Sequence, residues 1–249
     1  DVTRAEAEKL ARQYFGRWSG NTTADPAAPP TPAPPSTHVV IVDKPGAPQT
    51  ALEALGLGVP ASSPNADTLD VLNYTLGGSF GSRINMNLRE VHGYTYGARS
   101  SFTNFRDGGE FYAASLVRTD VTGPAAKEMM NELRNFPAKP STADELAAAK
   151  EASIRSLPGH FETTAEMARA TEGIFVYDRP LDYYANLPAK YDAVTQADIA
   201  RAAQAYLHPD QLIIVAAGDR AKIEPALKDA GIGPVEVRDI NGDLVTDSK

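Results

Sequence analysis

The order of the predicted elements indicates an α+β fold. Strands and helices fall into separate groups, without the regular strand–helix alternation that would build a Rossmann sheet. Several helices begin at capping patterns such as Thr142 with Glu145, and the Asp107-Gly108 pair indicates a hairpin between two strands. The 249 residues, 42% of them hydrophobic and 22% charged, are enough for a globular domain with a buried core.

The first 36 residues predict a helix followed by a spacer. Thr3 and Glu6 form a capping-box pattern, and apolar residues recur at helical spacing as far as Trp18. Residues 21–36 hold six prolines and almost no bulky apolar side chain, which favours an extended linker. We expect the helix of residues 1–20 either to end a preceding domain or to fold back on the main body.

The main domain is expected to cover residues 37–249, and its elements follow from local patterns. The predicted strands are His38–Val42, Thr50–Gly58, Tyr94–Asn104, Glu110–Arg118 and Leu212–Gly218. The predicted helices cover residues 67–76 and 80–90, begin at Thr122, Thr142, Thr163 and Thr195, and lie near Leu181–Leu187 and after Lys222.

Composition and charge exclude several classes of protein. The chain has no cysteine, so it has no disulfide scaffold and no thiolate site for metal or catalysis. A net charge of −8 argues against nucleic acid as a partner, and no apolar run is long enough to span a bilayer. The chain does not begin with Met, and we expect it to be part of a longer polypeptide.

The histidines do not form a zinc-binding motif. The chain has four, at His38, His92, His160 and His208, and none has a second histidine at the spacing that a helical zinc site needs. HxxEH and HExxH are both absent from the sequence. We therefore expect no metal site in this chain.

The sequence from Gly77 to Gly81 satisfies G-x-S-x-G, the nucleophile elbow of α/β-hydrolases, and makes Ser79 a remote candidate nucleophile. That chemistry requires a sharp turn from a strand into a helix. The residues before Gly77 have the leucine spacing of a helix, so two glycines between two helices are the simpler interpretation.

Residues 76–101 carry a second candidate site. Arg89 lies near the end of a predicted helix, Gly93 reverses the chain, and Tyr96 begins a strand. A guanidinium and a phenol brought to one corner of the sheet could hold a peptide carbonyl or stabilise an oxyanion. Alternatively, Arg89 complements the helix dipole and Tyr96 is a half-buried strand residue.

This block resembles the second-half signature of the pitrilysin/mitochondrial processing peptidase family of zinc peptidases. The family pattern S-R-x-x-x-x-L-R-E-x-x-G-x-x-Y matches Ser82-Arg83, Leu88-Arg89-Glu90, Gly93 and Tyr96, after a glycine-rich turn. Residues 44–50 and 194–219 resemble further family segments. The opening helix resembles the last helix of the family's first half, before the interdomain linker.

The resemblance implies a LuxS/processing-peptidase-like half with a mixed, largely antiparallel sheet and helices packed on one face. It implies that Arg89 and Tyr96 bind the peptide and act in catalysis, and that Gly77 and Gly78 bind substrate. Zinc would belong to an HxxEH-bearing partner half or subunit, and this chain alone would be inactive. A non-catalytic scaffold or peptide-binding subunit is the alternative, and exported relatives favour an extracytoplasmic compartment.

Overall fold

The computed structural model describes residues 2–20 and 31–245. The chain divides into two compact units, residues 1–30 and 31–249. Helix α1 (Arg4–Phe15) forms the first unit and begins at the predicted capping box of Thr3 and Glu6. Of the predicted spacer, residues 21–30 lie outside the described residues.

The second unit is built on one mixed sheet. Its strands are β1 (His38–Asp43), β2 (Gln49–Leu57), β3 (Thr95–Asn104), β4 (Gly109–Arg118), β5 (Ile213–Gly218) and β6 (Val235–Arg238). They lie in the order β3-β4-β2-β5-β1-β6, so β3 and β6 are the edge strands. Strand β1 is parallel to β5 and β6, and the pairs β2–β4, β2–β5 and β3–β4 are antiparallel.

Helices follow the strands in the groups that the sequence indicates. They are α2 (Ala66–Asn73), α3 (Arg83–Asn85), α4 (Thr122–Asn135), α5 (Ala143–Ser156), α6 (Thr164–Val176), α7 (Tyr183–Ala193), α8 (Gln196–Tyr206) and α9 (Arg220–Asp229). Two π-helical turns extend α2 and α3, Tyr74–Gly78 and Met86–Val91 respectively. Short 3₁₀ turns cover Thr119–Val121 and Leu157–Phe161.

The core lies between one face of the sheet and the helices. On β2, Leu52 and Ala54 are fully buried, whereas the alternate residues Ala51 and Glu53 are exposed. This alternation shows that one face of the strand is covered and the other is open. The helices add the rest of the core, including Leu69, Leu72, Met129, Leu133, Ile223 and Leu227. The predicted α+β fold with a mixed sheet is confirmed.

Three local predictions were wrong. The helix expected from Phe80 begins at Arg83, because residues 79–82 form a turn in which the Ser82 N–H donates to the Ser79 carbonyl. Thr122 does not cap a helix, because α4 already begins there. Its hydroxyl is hydrogen-bonded within the core to the Thr50 hydroxyl and the Thr119 carbonyl. The short strand β6 was missed.

No helix among residues 2–20 and 31–245 combines the length and the apolar character that crossing a bilayer requires.

Candidate functional site

The glycine-rich segment starts in the π-helical turn that extends α2. Gly77 is buried against edge strand β3, where an added Cβ would come within 2.4 Å of the Ser100 backbone nitrogen. Gly78 is exposed, and a Cβ there would meet Nδ2 of Asn73 at 2.7 Å. The close approach of the backbone to β3 explains the glycine at position 77. A substrate-binding role for Gly77 and Gly78 stays a prediction.

Arg89 lies on the π-helical turn that extends α3. Its guanidinium carbon is 4.4 Å from the centroid of the Phe80 ring, and its Nε is 3.3 Å from Oε1 of Glu90. The side chain is 35% exposed. Within the described residues, the terminal nitrogens of Arg89 have no hydrogen-bond partner. They are therefore available to an acceptor from outside the chain.

Gly93 ends the helical segment and reverses the chain, as the sequence predicts. Its φ of 63° lies in the left-handed region that glycine adopts without steric cost. The Gly93 N–H donates to the Arg89 carbonyl at 3.0 Å, and the Tyr94 N–H donates to the Leu88 carbonyl at 2.9 Å. Arg89 and Tyr96 consequently lie on the two arms of one tight turn.

Tyr96 lies in an irregularity of β3 and is 90% exposed. Thr95 pairs with Val117 and Ala98 pairs with Ser115, so the two residues between them oppose a single residue of β4. Such a bulge re-aims a side chain relative to a regular strand. Across the part of the chain that the structure describes, the Tyr96 hydroxyl makes no hydrogen bond.

Two asparagines connect the glycine-rich segment to β3. Asn73 donates through Nδ2 to the Ser100 carbonyl at 2.9 Å and accepts from the Ser100 hydroxyl at 2.6 Å. Asn85 donates to the Phe80 carbonyl at 2.6 Å and accepts from the Ala98 N–H at 2.9 Å. Sequence reasoning missed Asn85 and Phe80. An asparagine between the buried apolar residues of a short helix was the available signal.

Arg118, at the end of β4, is a further cation that sequence reasoning missed. Its Nη1 donates to the Gly93 carbonyl at 3.1 Å, within the turn between Arg89 and Tyr96. The hydrogen bond with Asp120 holds the pKa of Arg118 above its ordinary value and lowers the pKa of Asp120. The hairpin register could have revealed Arg118, because it places Thr95 opposite the preceding residue.

Arg83 of the same motif is occupied by the protein itself. Its Nε and Nη2 donate to the carboxylate of Glu145 at 3.0 and 2.7 Å. The guanidinium also donates to the carbonyls of Lys139 and Pro140 and lies over the Phe136 ring. These hydrogen bonds lower the pKa of Glu145 to about 2. Arg83 therefore anchors α3 to the start of α5, with four of its five N–H donors bonded to the protein.

A family model described as the peptidase M16 inactive domain matches residues 1–153, more than half of the chain. The chain belongs to this family. The resemblance to the non-zinc half of pitrilysin-type peptidases is thereby confirmed. No curated protein matches the chain at a significant level.

Solved structures share the fold of this M16 domain. The peptidase M16 inactive domain from Pseudomonas fluorescens has a TM-score of 0.74 and 26% identity, covering 88% of this chain and 51% of that one. A protease from Helicobacter pylori has a TM-score of 0.72 and 18% identity, covering 88% and 53%. An inactive peptidase domain from Bordetella parapertussis has a TM-score of 0.60 and 16% identity, covering 69% and 93%. This chain spans about half the length of the first two.

Ser79 of the M16 domain does not lie on a nucleophile elbow. It follows a π-helical turn instead of a strand, and its backbone is extended, with φ −132° and ψ 166°. No histidine bonds to its hydroxyl within the described residues. The geometry that would activate this serine is therefore missing from the described structure.

The described residues also do not fit a zinc ion. Among residues 2–20 and 31–245, no three His, Cys, Asp or Glu side chains come together as a group that could hold a metal. His92 stacks on Tyr94, with ring centroids 4.9 Å apart, and His160 lies 5.9 Å from the Tyr184 ring.

Proposed function

We propose that this M16 domain is the non-zinc half of a two-half zinc peptidase, in which Arg89 and Tyr96 bind the backbone of an extended peptide. One observation carries the proposal. A half-buried guanidinium whose terminal nitrogens have no partner, and an exposed phenol whose hydroxyl has none in the described chain, lie on the two arms of the Gly93 turn. Arg83 differs, because its guanidinium donates to the Glu145 carboxylate and to two backbone carbonyls of the same domain.

The chemistry of the pair suits a peptide carbonyl. Arg89 offers permanently charged donors in a fixed plane, and Tyr96 adds a hydroxyl donor. When the peptide bond is attacked, its carbonyl oxygen gains negative charge, and donors already aimed at that oxygen lower the barrier. The Phe80 ring under the guanidinium holds the donors in place before the peptide arrives.

The other half would carry HxxEH and the zinc, in the same polypeptide or in a separate subunit. The length of the related structures supports this proposal, since this chain spans about half of the Pseudomonas fluorescens and Helicobacter pylori chains. In this arrangement, residues 1–20 are the last helix of the preceding half and residues 21–36 are the linker. Residues 37–249 form the domain that faces the zinc half.

The proposal is tested on the full two-half protein, with zinc content and cleavage of an unfolded peptide as the measurements. Arg89→Ala should lower kcat about 100-fold, as expected for removing a charged transition-state donor. Tyr96→Phe should lower it about tenfold, because it removes one hydroxyl donor. Arg155→Ala is the control, since this arginine of α5 is exposed and, among the described residues, pairs only with Glu151. It should leave kcat unchanged.

Two results would contradict the proposal. If Arg89→Ala and Tyr96→Phe cleave the peptide as fast as Arg155→Ala, the pair has no catalytic role. If the full protein binds no zinc and cleaves nothing, the domain belongs to a non-catalytic scaffold or peptide-binding subunit of the same fold. The isolated chain should be inactive under either interpretation.

A further inference from the structure

Asn85 places an amide side chain in the interior of the domain, where it is only 3% exposed. A buried amide is costly unless its polar atoms find partners. Its Nδ2 donates to the Phe80 carbonyl at 2.6 Å, and its Oδ1 accepts from the Ala98 N–H at 2.9 Å. These partners lie on two different segments, the turn before α3 and strand β3. Asn85 therefore joins the two segments.

The first of these contacts fixes the position of Phe80. Its ring is 65% exposed and lies under the guanidinium of Arg89, so the core does not hold the ring in place. Gly81 follows directly, and an added Cβ at that position would meet nothing within 4 Å. A backbone turn next to an unpacked glycine has freedom to move. The Asn85 bond removes that freedom at the carbonyl of Phe80.

The second contact holds one end of the bulge that carries Tyr96. Inside the bulge, the Gly97 N–H donates to the Thr95 hydroxyl at 3.1 Å, and the Ser115 hydroxyl donates to the Gly97 carbonyl at 3.0 Å. The Ala98 N–H belongs to edge strand β3 and has Asn85 as its acceptor. On the other side of the bulge, the Thr95 hydroxyl donates to the Leu116 carbonyl at 2.7 Å. The residues between these two bonds are Tyr96 and a glycine. Asn85 thus holds one of the two ends of the bulge from which the Tyr96 side chain projects.

We propose that Asn85 is the positioning residue for the peptide-binding pair of Arg89 and Tyr96. The inference rests on the function proposed above. Asn85 does not touch the peptide: it acts through Phe80 on the guanidinium and through Ala98 on the phenol. One planar amide with a donor and an acceptor links the segments that carry both groups, and this explains a buried asparagine between the core residues Ile84 and Leu88.

Asn73, the last residue of α2, offers a matched control because it contacts the same strand. Its side chain also makes two hydrogen bonds to β3, both to Ser100, at 2.9 and 2.6 Å. It bonds to neither Phe80 nor the bulge. Asn73→Ala and Asn85→Ala each remove two hydrogen bonds, so we expect similar losses in the free energy of unfolding. The Asn73 bonds both go to β3, whereas those of Asn85 go to β3 and to the turn before α3. Only Asn85→Ala should displace Arg89 and Tyr96 from their peptide-binding positions.

The experiment is a double-mutant cycle on the full two-half protein, measured as kcat for peptide cleavage. Asn85→Ala should lower kcat about 10- to 100-fold with little change in KM, because misplaced groups lose transition-state contacts first. Tyr96→Phe should cost about tenfold in the parent protein. In the Asn85→Ala background it should cost less than about twofold, since the hydroxyl is no longer aimed. In the Asn73→Ala background, Tyr96→Phe should still lower kcat about tenfold.

The outcomes separate the two proposals. If Tyr96→Phe and Arg89→Ala have no effect in the parent protein, the proposed function fails, and the positioning role fails with it. If both have their effects but keep them undiminished in the Asn85→Ala background, only the positioning role is wrong. Should Asn85→Ala not fold, Asn85→Ser is measured in its place. Its shorter hydroxyl cannot bridge Phe80 and Ala98, and the same loss of coupling is expected.

Discussion

The guanidinium of Arg89 stacks on the ring of Phe80, at 4.4 Å from the guanidinium carbon to the ring centroid. Both partners reach solvent, so the contact does not fill the core. A guanidinium stacked on an aromatic face keeps its in-plane N–H donors pointing away from the ring. The stack consequently holds Arg89 without using the donors that a peptide needs.

Removing this support should weaken the action of Arg89. We expect Phe80→Ala to lower kcat/KM for peptide cleavage about fivefold, the value of a partly exposed cation–π contact. Phe80→Tyr should retain the activity, because the ring remains. Phe105→Ala is the control, since no cation lies over its ring among the described residues. Equal rates for Phe80→Ala and Phe105→Ala would show that Arg89 needs no ring beneath it.

The packing of Gly77 predicts a stability effect independent of any activity. Gly77→Ala would place a methyl group within 2.4 Å of the Ser100 nitrogen, so the turn or β3 must shift. We expect a loss of about 1–3 kcal/mol in the free energy of unfolding, the usual cost of overpacking. Gly81→Ala is the control, because its methyl would meet nothing within 4 Å. Urea unfolding of both variants measures the difference, and similar midpoints would contradict the packing argument.

The Arg83–Glu145 pair predicts a pH dependence of stability. Hydrogen bonds from Arg83 lower the pKa of Glu145 from 4.5 to about 2. The stabilisation is therefore complete above pH 4.5 and is lost as the pH falls through about 2. Because both side chains are partly exposed, we expect about 1–2 kcal/mol. Urea unfolding between pH 7 and pH 2 measures it.

Glu145→Gln should lose this stabilisation at pH 7. Its free energy of unfolding should also depend less on pH below pH 4.5. Glu166→Gln is a close control, because Glu166 closes the same kind of capping box with Thr163, with no arginine partner in the described chain. Glu166→Gln should lose much less of the free energy of unfolding at pH 7. If both variants follow the same pH profile, the capping box and not Arg83 stabilises the carboxylate.

Most of the fold follows from local patterns in the sequence. The capping boxes at Thr142, Thr163 and Thr195 all begin helices, because a cap depends only on residues three positions apart. The hairpin at Asp107-Gly108 is equally local. Strand β6 escaped prediction because its four residues are too few for a strand pattern to stand out.

The site was less predictable than the fold. Arg89 and Tyr96 were found through a family pattern, and the Gly93 turn between them is visible in the sequence. Hydrophobic spacing does not reveal the π-helical turn that carries Arg89, because six residues are too few to distinguish its wider turn from an α-helical one. The roles of Phe80 and Asn85 depend on contacts through irregular backbone, which no periodicity encodes.

The strand order has a consequence for synthesis of the chain. Strand β1 pairs only with β5 and β6 among the described strands, and Ile213 is the first residue of β5. While the ribosome is still translating the helices, only β3, β4 and β2 can assemble. Strand β1 remains unpaired until about 170 further residues have been synthesised. Such a long sequence separation slows folding, and an unpaired apolar strand exposes the nascent chain to aggregation. The hairpin that carries Tyr96 is complete long before the sheet closes.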